Sequence, residues 1–367
     1  MFCLHVIHYI GFFCAQIFNS ILALLIIKRA GHLFGPFRHV MLTFTLCSML
    51  FSWVEMVTQP VSENAESHYK TAKFQLIHMK GPMFVVILDR KNLPEYLGKF
   101  IAALHGASFE FLISVFTAQF FYRYILLCSP RILQFFEGKR IFLIFTPCLL
   151  IYAFSFAIVT WGMTPTPEKR EYIREDLKVL YDADSMNMFF ISILYWNTEE
   201  NGEKQEKQWR LKDIVTATTC SMIIAVLASL ILIFAWKIFH HMKTASSHMS
   251  QKTLEINKQL FIMLTVQTLF PFITMYIPVG LVLSLPLFGL GLGEFVNYPS
   301  ASMAVYPSIE PLISMCCIAD FRKTILSKFL SLQEERAITY KKRGCFRSSE
   351  VGKDKFKSGK CVAYPAK

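Results

Sequence analysis

The chain is short of charge. Asp, Glu, Lys and Arg make up 17% of its 367 residues, against 54% hydrophobic, where soluble domains carry about 25% charged residues. That deficit excludes an ordinary water-soluble globule. Common enzyme motifs are missing as well: there is no P-loop, HExxH, GxSxG or Cys-x-x-Cys, so those routes to catalysis have no footing. The glycine run at 289–293, GLGLG, lacks the GxGxxG spacing. No Asn-x-Ser/Thr sequon occurs. No basic flank precedes the first apolar run, so no cleavable signal peptide is expected. Paired extracellular cysteines are lacking too. Of ten cysteines, Cys14, Cys47, Cys148, Cys220, Cys316 and Cys317 fall within apolar runs, and Cys128, Cys345 and Cys361 fall on the expected cytosolic side. Only Cys3 is left outside, so no disulfide between the third helix and the second outer loop is expected. Cys316, Cys317, Cys345 and Cys361 stand as free thiols or as acylation sites.

What is present is long greasy sequence. A spanning helix needs about 20 mostly apolar residues to cross a core of about 30 Å. Seven stretches meet that length: residues 6–27, 40–61, 100–127, 141–161, 214–236, 260–285 and 295–318. Two further apolar runs, 74–88 and 186–196, compete with them. The first is broken by Lys80, Gly81 and Pro82 and the second is too short, so both are read as loop elements outside the membrane that pack over the bundle. The expectation is an all-α integral membrane protein, a seven-helix bundle over 1–319 followed by a cytosolic segment over 320–367.

Orientation follows from basic residues near the first span. Lys28 and Arg29 follow it directly, placing the N-terminus outside and the C-terminus in the cytosol. The tail agrees: from Arg322 to Lys367 it carries thirteen basic residues against Glu334, Glu335, Glu350 and Asp354. Lys and Arg in both expected outer loops run the other way, but long loops count for little in this rule. The net charge of +12 is concentrated in that tail. The tail is either simply solvated or faces the anionic cytosolic leaflet; nucleic acid is not an expected partner. His240, His241 and His248 in the third inner loop, taken as 237–258, are solvated rather than metal ligands, and no cofactor is expected.

Several constellations carry more specific information. The third span ends in FFYRY, with Tyr122, Arg123 and Tyr124. Arg123 is either an interfacial anchor or a latch whose several donors pair differently in two states. The sixth span holds Pro271 and Pro278, seven residues apart, each deleting a backbone hydrogen bond and bending the helix. The seventh holds YPSIEPL, Tyr306 to Leu312, with Pro307 and Pro311 flanking Glu310. A charge at that depth costs about 2.5–3.5 kcal/mol, so an acid there faces the bundle, as a carboxylate or as a protonated hydrogen-bonded group. Glu55 and Glu110 are the other acids in apolar runs. With His105, Phe109 and Tyr276 they either line an outer pocket between helices or make internal hydrogen bonds. After the seventh span, Phe321, Ile325, Phe329 and Leu330 share one stripe of a short amphipathic segment suited to the interface.

Taken together, GPFRHVM entering the second span, FFYRY, KQLFIMLTVQTLFPFITMYIPVG through the sixth, and YPSIEPLISMCCIADFR closing the seventh resemble the nematode serpentine chemoreceptors of the Str superfamily, with its Str, Srd and Srj relatives. The likeness runs from about His8 to Leu326 and includes the long loop with FFISILYW. It implies a G-protein-coupled receptor for a small environmental molecule, an odorant or pheromone, at the plasma membrane of a sensory neuron cilium. It assigns Tyr122, Arg123 and Tyr124 to G-protein coupling and Pro271, Pro278, Tyr306, Pro307, Glu310 and Pro311 to a conformational switch. The family commonly has Asp where this chain has Glu310. Expected partners are a small ligand, a heterotrimeric G protein and membrane lipid; a receptor dimer is left open. The rival classes are a seven-helix ligand-gated channel, which needs a cytosolic N-terminus, and a transporter, which needs discontinuous helices at matching places in two halves.

Overall fold

The computed structural model describes residues 2–30, 34–58, 77–88, 94–181, 184–187, 189–201, 204–245, 251–291, 296–331 and 333. His248, Cys345, Cys361 and the basic tail beyond 333 lie outside them, as does the side chain of Cys3. The chain divides into two compact units, Met1–Cys317 and Ile318–Lys367.

The first unit is built on seven helices. These are α1 (Phe2–Leu25), α2 (Phe37–Thr58), α3 (Glu95–Cys128), α4 (Thr146–Gly162, entered through the 3-10 turn Gly138–Phe145), α5 (Leu211–Ala245), α6 (Gln251–Pro271) and α7 (Asn297–Cys317). Helix α6 continues through a π turn, Phe272–Tyr276, into Ile277–Ser284. Six segments have the length and hydropathy to cross a membrane unaided, and α7, 21 residues long, carries Pro307 and Pro311 inside it. Their outward faces are as apolar as their cores. Ile10, Phe13 and Ile17 on α1, Leu149, Leu150 and Phe154 on α4, and Met222, Val226 and Leu232 on α5 are all exposed. A helix apolar all round suits lipid rather than water. This is a multi-pass membrane protein with a seven-helix bundle.

Helices α5 and α6 run further than their apolar runs suggested. The loop expected over 237–258 shrinks because α5 continues to Ala245 and α6 starts at Gln251. Helix α1 packs along α7, and Gly11 makes that approach close: a Cβ there would lie 2.6 Å from the carbonyl oxygen of Ala304. Backbone cannot yield as a side-chain tip does, so Gly11→Val is expected to destabilise the protein by about 1–3 kcal/mol. An unfolding midpoint in detergent equal to wild type would contradict this packing.

Within the described residues, both short apolar runs contribute strands outside the bundle. Strands β1 (Ile77–Lys80), β2 (Met83–Leu88) and β3 (Phe189–Leu194) form an antiparallel sheet, with Phe84 opposite Ile193 and Val86 opposite Ile191. Beyond it β4 (Trp196–Asn201) and β5 (Lys204–Trp209) make a hairpin. One sheet face packs Met83, Val85, Ile87, Phe190 and Leu194 against Ile173 and Leu177 of a helix at Pro167–Tyr181. The other packs Ile77, Phe84, Ile191 and Ile193 with residues of α3, α4, α5 and α6. The sheet lies at the end where α3 starts, opposite the end bearing Arg123.

In the second unit the helix Ala319–Ser331 exposes Ile325, Leu326, Phe329 and Leu330.

Candidate functional site

A cavity of about 120 Å³ lies directly beneath the sheet. Its walls come from six helices: Glu55 of α2, His105, Phe109 and Glu110 of α3, Val159 of α4, Cys220 of α5, Val282 of the continuation of α6, and Met303 of α7. Ile77, Phe84, Val86 and Ile191 roof it. His105 and Phe109 share a face because they are one helical turn apart. The polar groups are few. His105 Nδ1 lies 3.4 Å from Glu55 Oε1. The Ser155 hydroxyl donates to the Glu110 carboxyl. Four of the five expected pocket residues therefore line one cavity. The exception is Tyr276, which is not among the wall residues; its ring meets Phe109 edge-on at 6.2 Å.

The roof is fixed by a buried ion pair. The Lys169 ammonium is paired with Asp213 and donates to the carbonyls of Ser192, at 2.9 Å, and Gly162, at 3.2 Å. Asp213 also accepts from the backbone N–H of Leu194 at 3.1 Å and from Arg210 Nε at 3.2 Å. One carboxylate and one ammonium thus join α4, α5, β3 and the helix at Pro167–Tyr181. Burial pulls the Lys169 ammonium below its ordinary pKa, against Asp213, which raises it. On the other side the Tyr195 hydroxyl donates to the carbonyl of Leu283, and Trp196 Nε1 donates to that of Leu287 at 3.3 Å.

At the opposite end, three consecutive residues of α3 point to three helices. Tyr122 stacks on Phe37 of α2 with centroids 5.7 Å apart. Arg123 reaches α6, with Nη2 3.2 Å from Asn257 Oδ1, and its guanidinium lies 5.2 Å over the Phe37 ring. Tyr124 stacks on Phe234 of α5 at 5.5 Å. Among the described residues no carboxylate pairs with Arg123.

Between the two ends lie the prolines. A proline leaves the carbonyl four residues earlier without its helical donor. Pro311 does this to Pro307, whose oxygen accepts from Asn19 of α1 at 2.7 Å. Pro278 does it to Thr274, whose oxygen accepts from Ser302 of α7 at 2.5 Å. Gln267 of α6 donates to Glu310 Oε1 at 2.5 Å and to Ser314 Oγ at 2.8 Å. Tyr306 is buried alongside. The helix breaks are thus converted into bonds between helices, joining α7 to α1 and α6.

The family profile described as serpentine type 7TM GPCR chemoreceptor Str matches residues 4–326. The chain belongs to the Str family of serpentine chemoreceptors. It is similar to serpentine receptor class r-10 of Caenorhabditis briggsae, 28% identical over 87% of this chain and 88% of that one. It is also similar to G-protein coupled receptor str-33 of Caenorhabditis elegans (24%, over 87% and 89%) and to serpentine receptor class J-38 of the same species (26%, over 85% and 88%). The Str family are chemosensory G-protein-coupled receptors and not enzymes. In this Str receptor the functional groups that sequence reasoning missed are Asn19, Asn257, Gln267, Ser302, Lys169 and Asp213. The first four are uncharged, and their smaller insertion cost flags them less than a charge would. The prolines did hold a usable signal, since each points to a carbonyl that needs a donor.

Proposed function

We propose that this receptor binds a small, largely apolar environmental molecule in the cavity beneath the sheet and activates a heterotrimeric G protein at the Arg123 end. The cavity carries this reading: one space touched by six helices, closed by a roof, and apolar apart from Glu55, His105, Glu110 and Cys220. An apolar cavity of about 150 Å³ holds benzene, so about 120 Å³ suits a molecule of that scale. Glu110 and the Glu55–His105 pair orient its polar group. The sheet end faces outside with the N-terminus, at the plasma membrane of a sensory cilium, and the Arg123 end and tail face the cytosol.

Ligand binds the arrangement with α6 swung out more tightly, and that differential affinity shifts the population. Tyr122, Arg123 and Tyr124 then border the cleft that the G protein enters, and Pro271, Pro278, Tyr306, Pro307, Glu310 and Pro311 form the bending region.

The test is co-expression with a G protein and a panel of volatiles. Gly106→Leu, which fills the cavity from its wall, is expected to abolish the response to any active compound at normal surface levels. A response unchanged in that variant would place the ligand elsewhere. Protease protection showing both termini on one side would exclude the receptor topology.

A further inference from the structure

The GPFRHVM segment does more than start a helix. Gly35 and Gly138 both take left-handed backbone, with φ of 53° and 61°, and a Cβ on either would meet nothing within 4 Å. Backbone conformation rather than crowding therefore demands glycine. These turns start α2 and the 3-10 entry to α4 beside each other, and between them lies a cavity of about 460 Å³. Arg38, His39 and Lys139 line it, and Phe142 forms its apolar wall, 6.2 Å from the His39 ring. Arg38, Lys139, Phe142 and Leu143 are exposed, and Glu137 is the acid at its edge.

We propose that this cavity holds the phosphorylated headgroup of an anionic phospholipid of the cytosolic leaflet. This rests on the orientation proposed above, which puts the cavity on that side. Basic pockets between spanning helices on the cytosolic side suit such headgroups, and an anionic leaflet attracts clustered Lys and Arg. The exposed Phe142 and Leu143 beside the cations favour a phosphate carried on acyl chains over one free in solution. The segment also reaches the latch. Phe37, between the cavity residues Pro36 and Arg38, is buried under Tyr122 and Arg123. A headgroup held by Arg38 and Lys139 therefore steadies the ring against which Arg123 lies.

The full chain in nanodiscs of phosphatidylcholine, with or without a small fraction of phosphatidylinositol phosphate, tests this, with bound lipid read by native mass spectrometry. Both disc faces are open, so binding is read whatever the orientation, and protease protection reports orientation separately. The double variant Arg38→Gln/Lys139→Gln is expected to lose affinity about 30-fold, or about 2 kcal/mol. Arg38→Lys/Lys139→Arg keeps it. Should the double variant fail to fold, each single Gln variant is expected to lose about fivefold. Undiminished lipid binding in these variants overturns the site. Equal binding of a soluble inositol phosphate overturns the lipid assignment. Loss of G-protein activation in the double variant, with lipid binding unchanged, makes the surface a protein contact instead.

Discussion

Replacing Lys169 by Met with Asp213 left in place is expected to destabilise the receptor by about 3–5 kcal/mol, enough to remove most of it from the cell surface. The side chains of Lys169 and Asp213 are 1% and 2% exposed, so the carboxylate stays buried with Arg210, itself shared with Glu168, as the cation paired with it among the described residues. Asp213→Asn leaves the ammonium unpaired and is expected to be comparably severe. Removing both charges, Lys169→Met/Asp213→Leu, is expected to regain the larger part of the loss, because neither charge then needs desolvating. Recovery stays incomplete, since the Leu194 N–H loses its acceptor at a cost of about 1–3 kcal/mol. Unfolding midpoints of the solubilised protein measure all three variants. If the double variant falls as far as the sum of the singles, the two residues act separately and the pair is no hub.

The same pair explains how the roof is held without a covalent staple. None of the described cysteines lies in the sheet or in the helix at Pro167–Tyr181. The ion pair ties the second outer loop to α4 and α5 instead. Dithiothreitol is therefore expected to leave the unfolding midpoint unchanged. A drop would show that the loops depend on a bridge after all.

The bundle was legible because lipid-facing helices must be long and apolar, and little else in a chain satisfies that length. The ends of α5 and α6 were not legible. Beyond the bilayer, polar residues such as His240, His241 and Lys243 occupy a helix that propagates from the span, and polarity there reads as loop. The sheet was legible only as apolar runs outside the bundle. From Met83 to Ile87 strand β2 packs on both faces, against the helix on one and the cavity side on the other, so it has no alternation to mark it as a strand. The cavity residues fared better. Glu55, His105 and Glu110 are conspicuous in apolar runs because ionisable groups there are expensive. Tyr276 misled because an aromatic on a spanning helix is apolar enough to pack behind the wall as readily as in it.

Asn257→Leu is expected to raise ligand-free G-protein activation about tenfold, while Arg123→Ala lowers ligand-stimulated activation at normal surface delivery. The Arg123–Asn257 bond joins α3 to α6, and a hydrogen bond to a charged group contributes about 1.5–3 kcal/mol. Losing the lower figure shifts a two-state equilibrium by roughly ten, toward the arrangement with α6 released. At the same end of α6, Phe261 packs against Phe239 of α5, a contact that carries no directional tie to α3. Removing Arg123 severs the same bond but also takes away the guanidinium proposed to meet the G protein in the open state, so release is expected to gain nothing. A purely interfacial anchor predicts something different, namely that both substitutions reduce surface levels and neither raises basal activity. Opposite signs from the two ends of one hydrogen bond belong to a latch, and equal signs would leave Arg123 as an anchor only.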